Sequence, residues 1–174
     1  MKRALSVLAL TLPITAFSAW IDGKGKPIPD TPSMRSSGDF GAQLLLTSSE
    51  PEFRKAWNAT TGTPTLQTSN KVRHGQSIAG VILFSGCLPN ASKACDVSVA
   101  FTVLNPDGST TPAGGGPVWS HSPPKPGIIM MGEASINMGF GKDDAPGAYT
   151  LNATVTDKVG HRTLKLSLPF SVAR

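Results

Sequence analysis

The chain has 174 residues, among them 18 Gly and 15 Pro, with 16% charged residues and a formal net charge of +5. A length near that of one domain argues against a multi-domain enzyme, and glycine without a strict triplet repeat excludes a collagen helix. A hydrophobic content of 39% with modest net charge excludes classical disorder.

Lys2 and Arg3 precede an uncharged, mostly apolar run from Ala4 to Phe17, in which Pro13 would break a helix. Ala16-Phe17-Ser18 then places small residues at −3 and −1 for cutting before Ala19. This is the three-part pattern of a secretory signal peptide, and it predicts removal of residues 1–18. The apolar run is shorter than the ~20 residues of a spanning helix, so no transmembrane anchor is expected after cleavage. Losing Lys2 and Arg3 takes the basic count from 16 to 14 against 11 acids, and the charge from +5 to +3. No Lys/Arg cluster remains of the kind nucleic-acid binding needs, and no nucleic-acid partner is expected.

Residues 19–38 are rich in Gly, Pro, Lys and Ser without a hydrophobic period, and read as a flexible N-terminal arm. The stretch 39–47 carries Phe40 and Leu44-Leu45-Leu46, a first strand. Ser49-Glu50-Pro51-Glu52 has the form of a helix start. Phe53 and Trp57, four apart, would share one face of that short helix and pack on the sheet. The stretch 65–72 reads as a polar edge strand, and 73–76 as a turn. Ile78 to Phe84 is a continuous apolar run, as in a strand buried on both faces.

Cys87 and Cys95 are the only cysteines, across a polar, turn-rich loop. An even count in an exported chain predicts a disulfide, which would stabilise the fold by about 2.6 kcal/mol in the chain-entropy model. A zinc site usually wants four ligands, and the Cys-x-x-Cys spacing of redox pairs is absent.

From Asp96 to Leu104, Val97, Val99, Phe101 and Val103 alternate with small and polar residues, the period of a half-buried strand. Asn105 to Gly108 is a turn. The stretch 110–127 reads as a long irregular loop and as the candidate binding loop. Trp119 offers an apolar face there, His121 a titratable ring and Lys125 a charge. Two roles are open to Trp119: meeting a ligand, or folding back to cap the core. Strand character resumes over 128–131 and 134–140. A turn at 143–147 then leads to Tyr149, Leu151, Ala153 and Val155, and after Gly160 to Leu164, Leu166, Leu168, Phe170 and Val172. Pro169 cannot donate to a ladder, so the last strand needs a free edge there.

The sites of chemistry are sparse. Asp143 and Asp144 are neighbours in a turn rather than opposed carboxylates. His74, His121 and His161 are scattered through loops, and no Gly-x-Ser-x-Gly elbow anchors a triad. No catalytic residue, no metal ligand and no cofactor is assigned, and the chain is expected not to be an enzyme. Met130, Met131, Met138 and His121 raise a copper alternative through thioether and imidazole ligands. Adjacent strand residues such as Met130 and Met131 nevertheless face opposite ways.

The pattern predicts an all-β fold: an antiparallel sandwich of seven or eight strands over residues 39–174, with one short helix near the N-terminus. Pro146-Gly147-Ala148-Tyr149, followed by alternation to Asp157, resembles the penultimate strand of bacterial immunoglobulin-like domains. That resemblance implies an immunoglobulin-like sandwich in which the Tyr149 hydroxyl pins the preceding corner. More loosely, Cys95-Asp96-Val97 through Pro106-Asp107-Gly108-Ser109 resembles exported bacterial proteins. The expected function is a periplasmic or secreted, non-enzymatic immunoglobulin-like module binding a protein or glycan of the bacterial envelope. The alternatives are a carbohydrate-binding module using Trp119 and a copper-binding periplasmic protein.

Overall fold

The structure is a computed structural model that describes residues 19–59 and 64–174. The stretch 1–18, on which the signal-peptide expectation falls, lies outside the described residues. In chain order the elements are β1 (Met34–Ser37), β2 (Phe40–Thr47), α1 (Glu50–Asn58), β3 (Lys71–Arg73), β4 (Gln76–Ser85) and β5 (Val97–Leu104). They continue with β6 (Thr110–Trp119), β7 (Met130–Phe140), β8 (Gly147–Asp157) and β9 (Arg162–Ala173). Two sheets face each other, ordered β1-β2-β4-β7 and β3-β9-β8-β5-β6. The fold is an all-β sandwich, as the periodicity predicts. Among the described residues there are nine strands, seven long ones and the short edge pieces β1 and β3, and of these β3 alone runs parallel to its neighbour, β9.

The period-two residues meet between the sheets. Phe40, Leu44, Ile82 and Phe84 come from one side, and Val97, Phe101, Leu151, Val155 and Leu166 from the other, all essentially buried. Gly80 lies in this interface because a Cβ there would sit 2.5 Å from Leu151 Cδ2, closer than packed carbons approach. The unbroken apolar run of β4 has a direct cause. Ile78, Ile82 and Phe84 serve the inter-sheet core, while Val81 and Leu83 join Phe53 and Met131 in a second cluster on the outer face.

Helix α1 covers that outer cluster. Ser49 caps it, its hydroxyl accepting the Glu52 N–H at 3.5 Å, and Pro51 sits in the first turn. Phe53 and Trp57 both turn to the sheet, Phe53 fully buried. Arg54 pairs with Glu50 at 2.7 Å on the same helix and reaches the Gly132 carbonyl of β7 at 3.4 Å.

Three expectations are corrected. Residues 19–38 are not a loose arm: Trp20 is buried, its indole N–H donates to the Arg35 carbonyl at 3.1 Å, and β1 pairs with β2. A four-residue edge strand and a single aromatic anchor leave no period to read. Within 65–72, only the final residues join a strand, in β3. The stretch 110–119 is not irregular but forms edge strand β6, paired with β5 through two register shifts. Pro112, Pro117 and three glycines disguise it, and an edge strand that is bulged tolerates them. A Cβ at Gly115 would overlap the Val99 carbonyl oxygen, so glycine is what lets β6 close on β5 there.

Pro169 occupies the gap it requires. The N–H groups of Ser167 and Ser171 point away from β8, to Pro32 and Asn70 carbonyls at 2.8 and 2.9 Å. Pro169, midway between them and in the same phase, faces neither.

Candidate functional site

Alternating antiparallel strands place the connecting loops at two opposite ends of the sandwich. One end carries the disulfide loop after β4, the connection from β6 to β7, and the β8–β9 turn. The other carries the turns that join β5 to β6 and β7 to β8.

At the first end Cys87 and Cys95 are bonded, with Cα atoms 6.0 Å apart. The Cys95 N–H donates to the His121 carbonyl at 2.8 Å, which fastens this loop to the part of the candidate binding loop 110–127 that carries Trp119, His121 and Lys125. Trp119 closes β6 and is half-buried. Its ring lies 5.6 Å from that of Phe84 and 5.1 Å, edge-on, from that of His121. Its indole N–H is used on the Ser122 carbonyl at 2.9 Å. Trp119 thus covers the end of the core, and its polar handle is occupied. His121 Nε2 lies 2.8 Å from Glu133 Oε1, an exposed pair of little energetic weight. Lys125 stands on the exposed crest of the loop, where its carbonyl accepts the Ile128 N–H at 3.0 Å.

The structure therefore brings Trp119 and His121 together and leaves Lys125 on the crest. The pair that follows lies just beyond the candidate binding loop 110–127. Ile128 and Ile129 are 48% and 40% exposed, and Leu88, at the same end, is 43% exposed. Two consecutive isoleucines after a Pro/Gly-rich loop are the available signal, but the strand character of 128–131 masks it, and β7 begins only at Met130. The copper ligands do not converge, because Met131 belongs to the outer cluster while Met130 and Met138 lie against the inter-sheet core.

At the opposite end the sheets gape into an open cleft of about 420 Å³. Val103 of β5, Met138 and Phe140 of β7 and Tyr149 of β8 form its apolar floor, with Asp107, Asp143 and Asp144 around it. Tyr149 is buried and stacks on Phe170, with the two ring centroids 5.5 Å apart. Its hydroxyl donates to the Ala145 carbonyl at 2.7 Å, four residues upstream, so it does pin the corner that leads into β8. Burial raises the Tyr149 pKa, and the negative charges of Asp144 and Asp107 push it the same way. The Asp107 carboxylate accepts the Ser109 hydroxyl at 2.6 Å and its N–H at 2.8 Å, and these bonds hold its pKa below the ordinary aspartate value. Asp144 accepts the Gly141 N–H at 2.6 Å, which is the turn-forming role expected of it. The convergence of Asp107 with Asp143 and Asp144 was not legible, because it joins two turns that only the sheet topology brings together.

No family model and no curated protein matches the chain. Among solved structures it is similar to a glycoside hydrolase of family 123 from Clostridium perfringens, described for the hydrolysis of glycolipid glycans. The TM-score is 0.43 and the identity 14%, over 76% of this chain and 27% of that one. The chain thus spans about a quarter of the enzyme's length, and a likeness so distant carries no argument for activity. It does correct one expectation: the neighbour is an enzyme, so the exclusion of enzymatic function, drawn from missing motifs alone, is withdrawn.

Proposed function

We propose that the chain is an exported immunoglobulin-like module of the bacterial envelope that binds another macromolecule at its disulfide-bearing end. In this reading residues 1–18 are a signal peptide, and residues 39–174 form one immunoglobulin-like domain that is periplasmic or secreted. The observation that carries the binding assignment is the exposure of Ile128 and Ile129, side by side, on a loop braced by Trp119 and the disulfide. Large apolar side chains held out in sequence on a braced loop suit a protein partner: they gain by burial, while Lys125 beside them adds orientation. The Tyr149–Ala145 bond supports the immunoglobulin-like reading, since a tyrosine corner before the penultimate strand is a hallmark of that architecture.

Site-specific photo-crosslinking in the envelope tests the reading. A crosslinker at Ile128 or Ile129 is expected to yield a discrete protein adduct, and one at Asp30 none. Equal labelling from all three positions would defeat it.

A further inference from the structure

The cleft at the opposite end is a second, independent feature. Its floor is the part of the inter-sheet core that reaches the surface, and residues of both sheets contribute to it. Its volume, about 420 Å³, falls within the range of small-molecule sites, which combine an apolar lining with a few converging polar groups. The charge there is one-sided. Among the described residues, the only charged side chains of the lining are Asp107, Asp143 and Asp144, in a chain whose formal net charge is +5, or +3 without Lys2 and Arg3. Two of the three are held by hydrogen bonds within their own turns, Asp107 by Ser109 and Asp144 by Gly141, so their positions are set before any ligand arrives.

We propose that this cleft binds a small organic cation with an apolar body, an ammonium or guanidinium head lying among the three aspartates and its hydrocarbon on Val103, Met138 and Phe140. Head and body make separable contributions. The carboxylates select the sign of the ligand, and the attraction falls with ionic strength. The floor rewards apolar area, which a bare ammonium or a metal ion does not possess.

Phenethylammonium, ethylammonium, 3-phenylpropionate and calcium, each titrated separately into the full mature chain and followed by NMR shifts, test this. Phenethylammonium is expected to saturate one site, with the largest shifts at the Met138 methyl and the Tyr149 ring. Ethylammonium should bind about tenfold more weakly for want of the ring, and 3-phenylpropionate at least about tenfold more weakly because of its charge. Asp143→Asn should weaken phenethylammonium about two- to fivefold, while Asp96→Asn, at the other end, should leave it unchanged. Unaltered thermal unfolding of Asp143→Asn shows that the variant is folded. Equal binding of the cation and the carboxylate, or calcium binding with phenethylammonium silent, would overturn the proposal. So would binding of a lysine-bearing peptide where the free amine fails.

Discussion

The carboxylate of Asp157, at the end of β8, accepts the backbone N–H of Leu88 at 3.1 Å, across 69 positions of sequence. Its other oxygen accepts the Gly160 N–H at 3.1 Å, and the side chain is wholly buried. One aspartate thus ties the disulfide loop to the β8–β9 turn. Gly160 follows from the same contact, since a Cβ there would collide with the carboxylate. Lys158 adds a surface tie, its ammonium 2.8 Å from Asp96.

Asp157→Asn keeps the shape but turns an amide NH2 toward one of the two N–H groups. Leaving a buried donor unpaired costs about 1–3 kcal/mol, and equilibrium urea unfolding should show a loss in that range. A loss within error would mean that water reaches this carboxylate and the tie is weak.

The disulfide holds the same loop from its other side. Free-thiol labelling of the oxidised protein should find neither Cys87 nor Cys95. The double variant Cys87→Ala/Cys95→Ala should lose about 2.6 kcal/mol. Combined with Asp157→Asn, the losses should fall short of additive, because a released loop no longer holds Leu88 against the carboxylate. Full additivity would show the two restraints to be independent.

These restraints divide what the sequence reveals from what it conceals. The alternation in β5 and β8 was readable because each strand has one buried face, and the run in β4 because it has two. The helix start at Ser49 and the cysteine pair follow from local chemistry, and so does the Tyr149 corner, which closes over four residues. The cleft, the Asp157 tie and the Trp20 anchor are different. Each joins segments that meet only through strand order, and no period or spacing marks such a meeting. Strand β6 was hidden for another reason: its glycines and prolines serve close approach and edge protection, and in sequence they look like loop.

Export is open to a direct check. Mass spectrometry of protein recovered from outside the cytoplasm should find a chain beginning at Ala19. An intact Met1 in that fraction would refute cleavage at the small-residue site.

Tyr149 is the chain's only tyrosine, so its ionisation can be followed alone by tyrosinate absorbance. Its folded pKa is raised, chiefly by burial and then by Asp144 and Asp107. A raised pKa means that the folded state favours the neutral phenol. The associated stability is fully present below the unfolded value of about 10 and is lost as pH rises through the higher folded value. Urea stability should therefore fall above about pH 10, and Tyr149→Phe should flatten that limb. A tyrosinate titration at or below the free value would contradict the burial argument.

The register of β8 can be tested by two substitutions at adjacent positions. The Tyr149 ring lies inward with Leu151, Ala153 and Val155, whereas Thr150 is half-exposed opposite Pro169 of β9. Tyr149→Phe keeps the ring stacked on Phe170 and removes only the hydrogen bond to the Ala145 carbonyl. That carbonyl borders the open cleft, so water partly replaces the phenol, and the expected loss is about 1–2 kcal/mol. Thr150→Ala removes a half-exposed side chain and no hydrogen-bond partner of the corner, so it should cost clearly less, about 0.5 kcal/mol. Urea unfolding of both variants at pH 7 compares them directly. If Thr150→Ala cost more than Tyr149→Phe, the strand would face the other way, and both the cleft floor and the pinned corner would be misplaced with it.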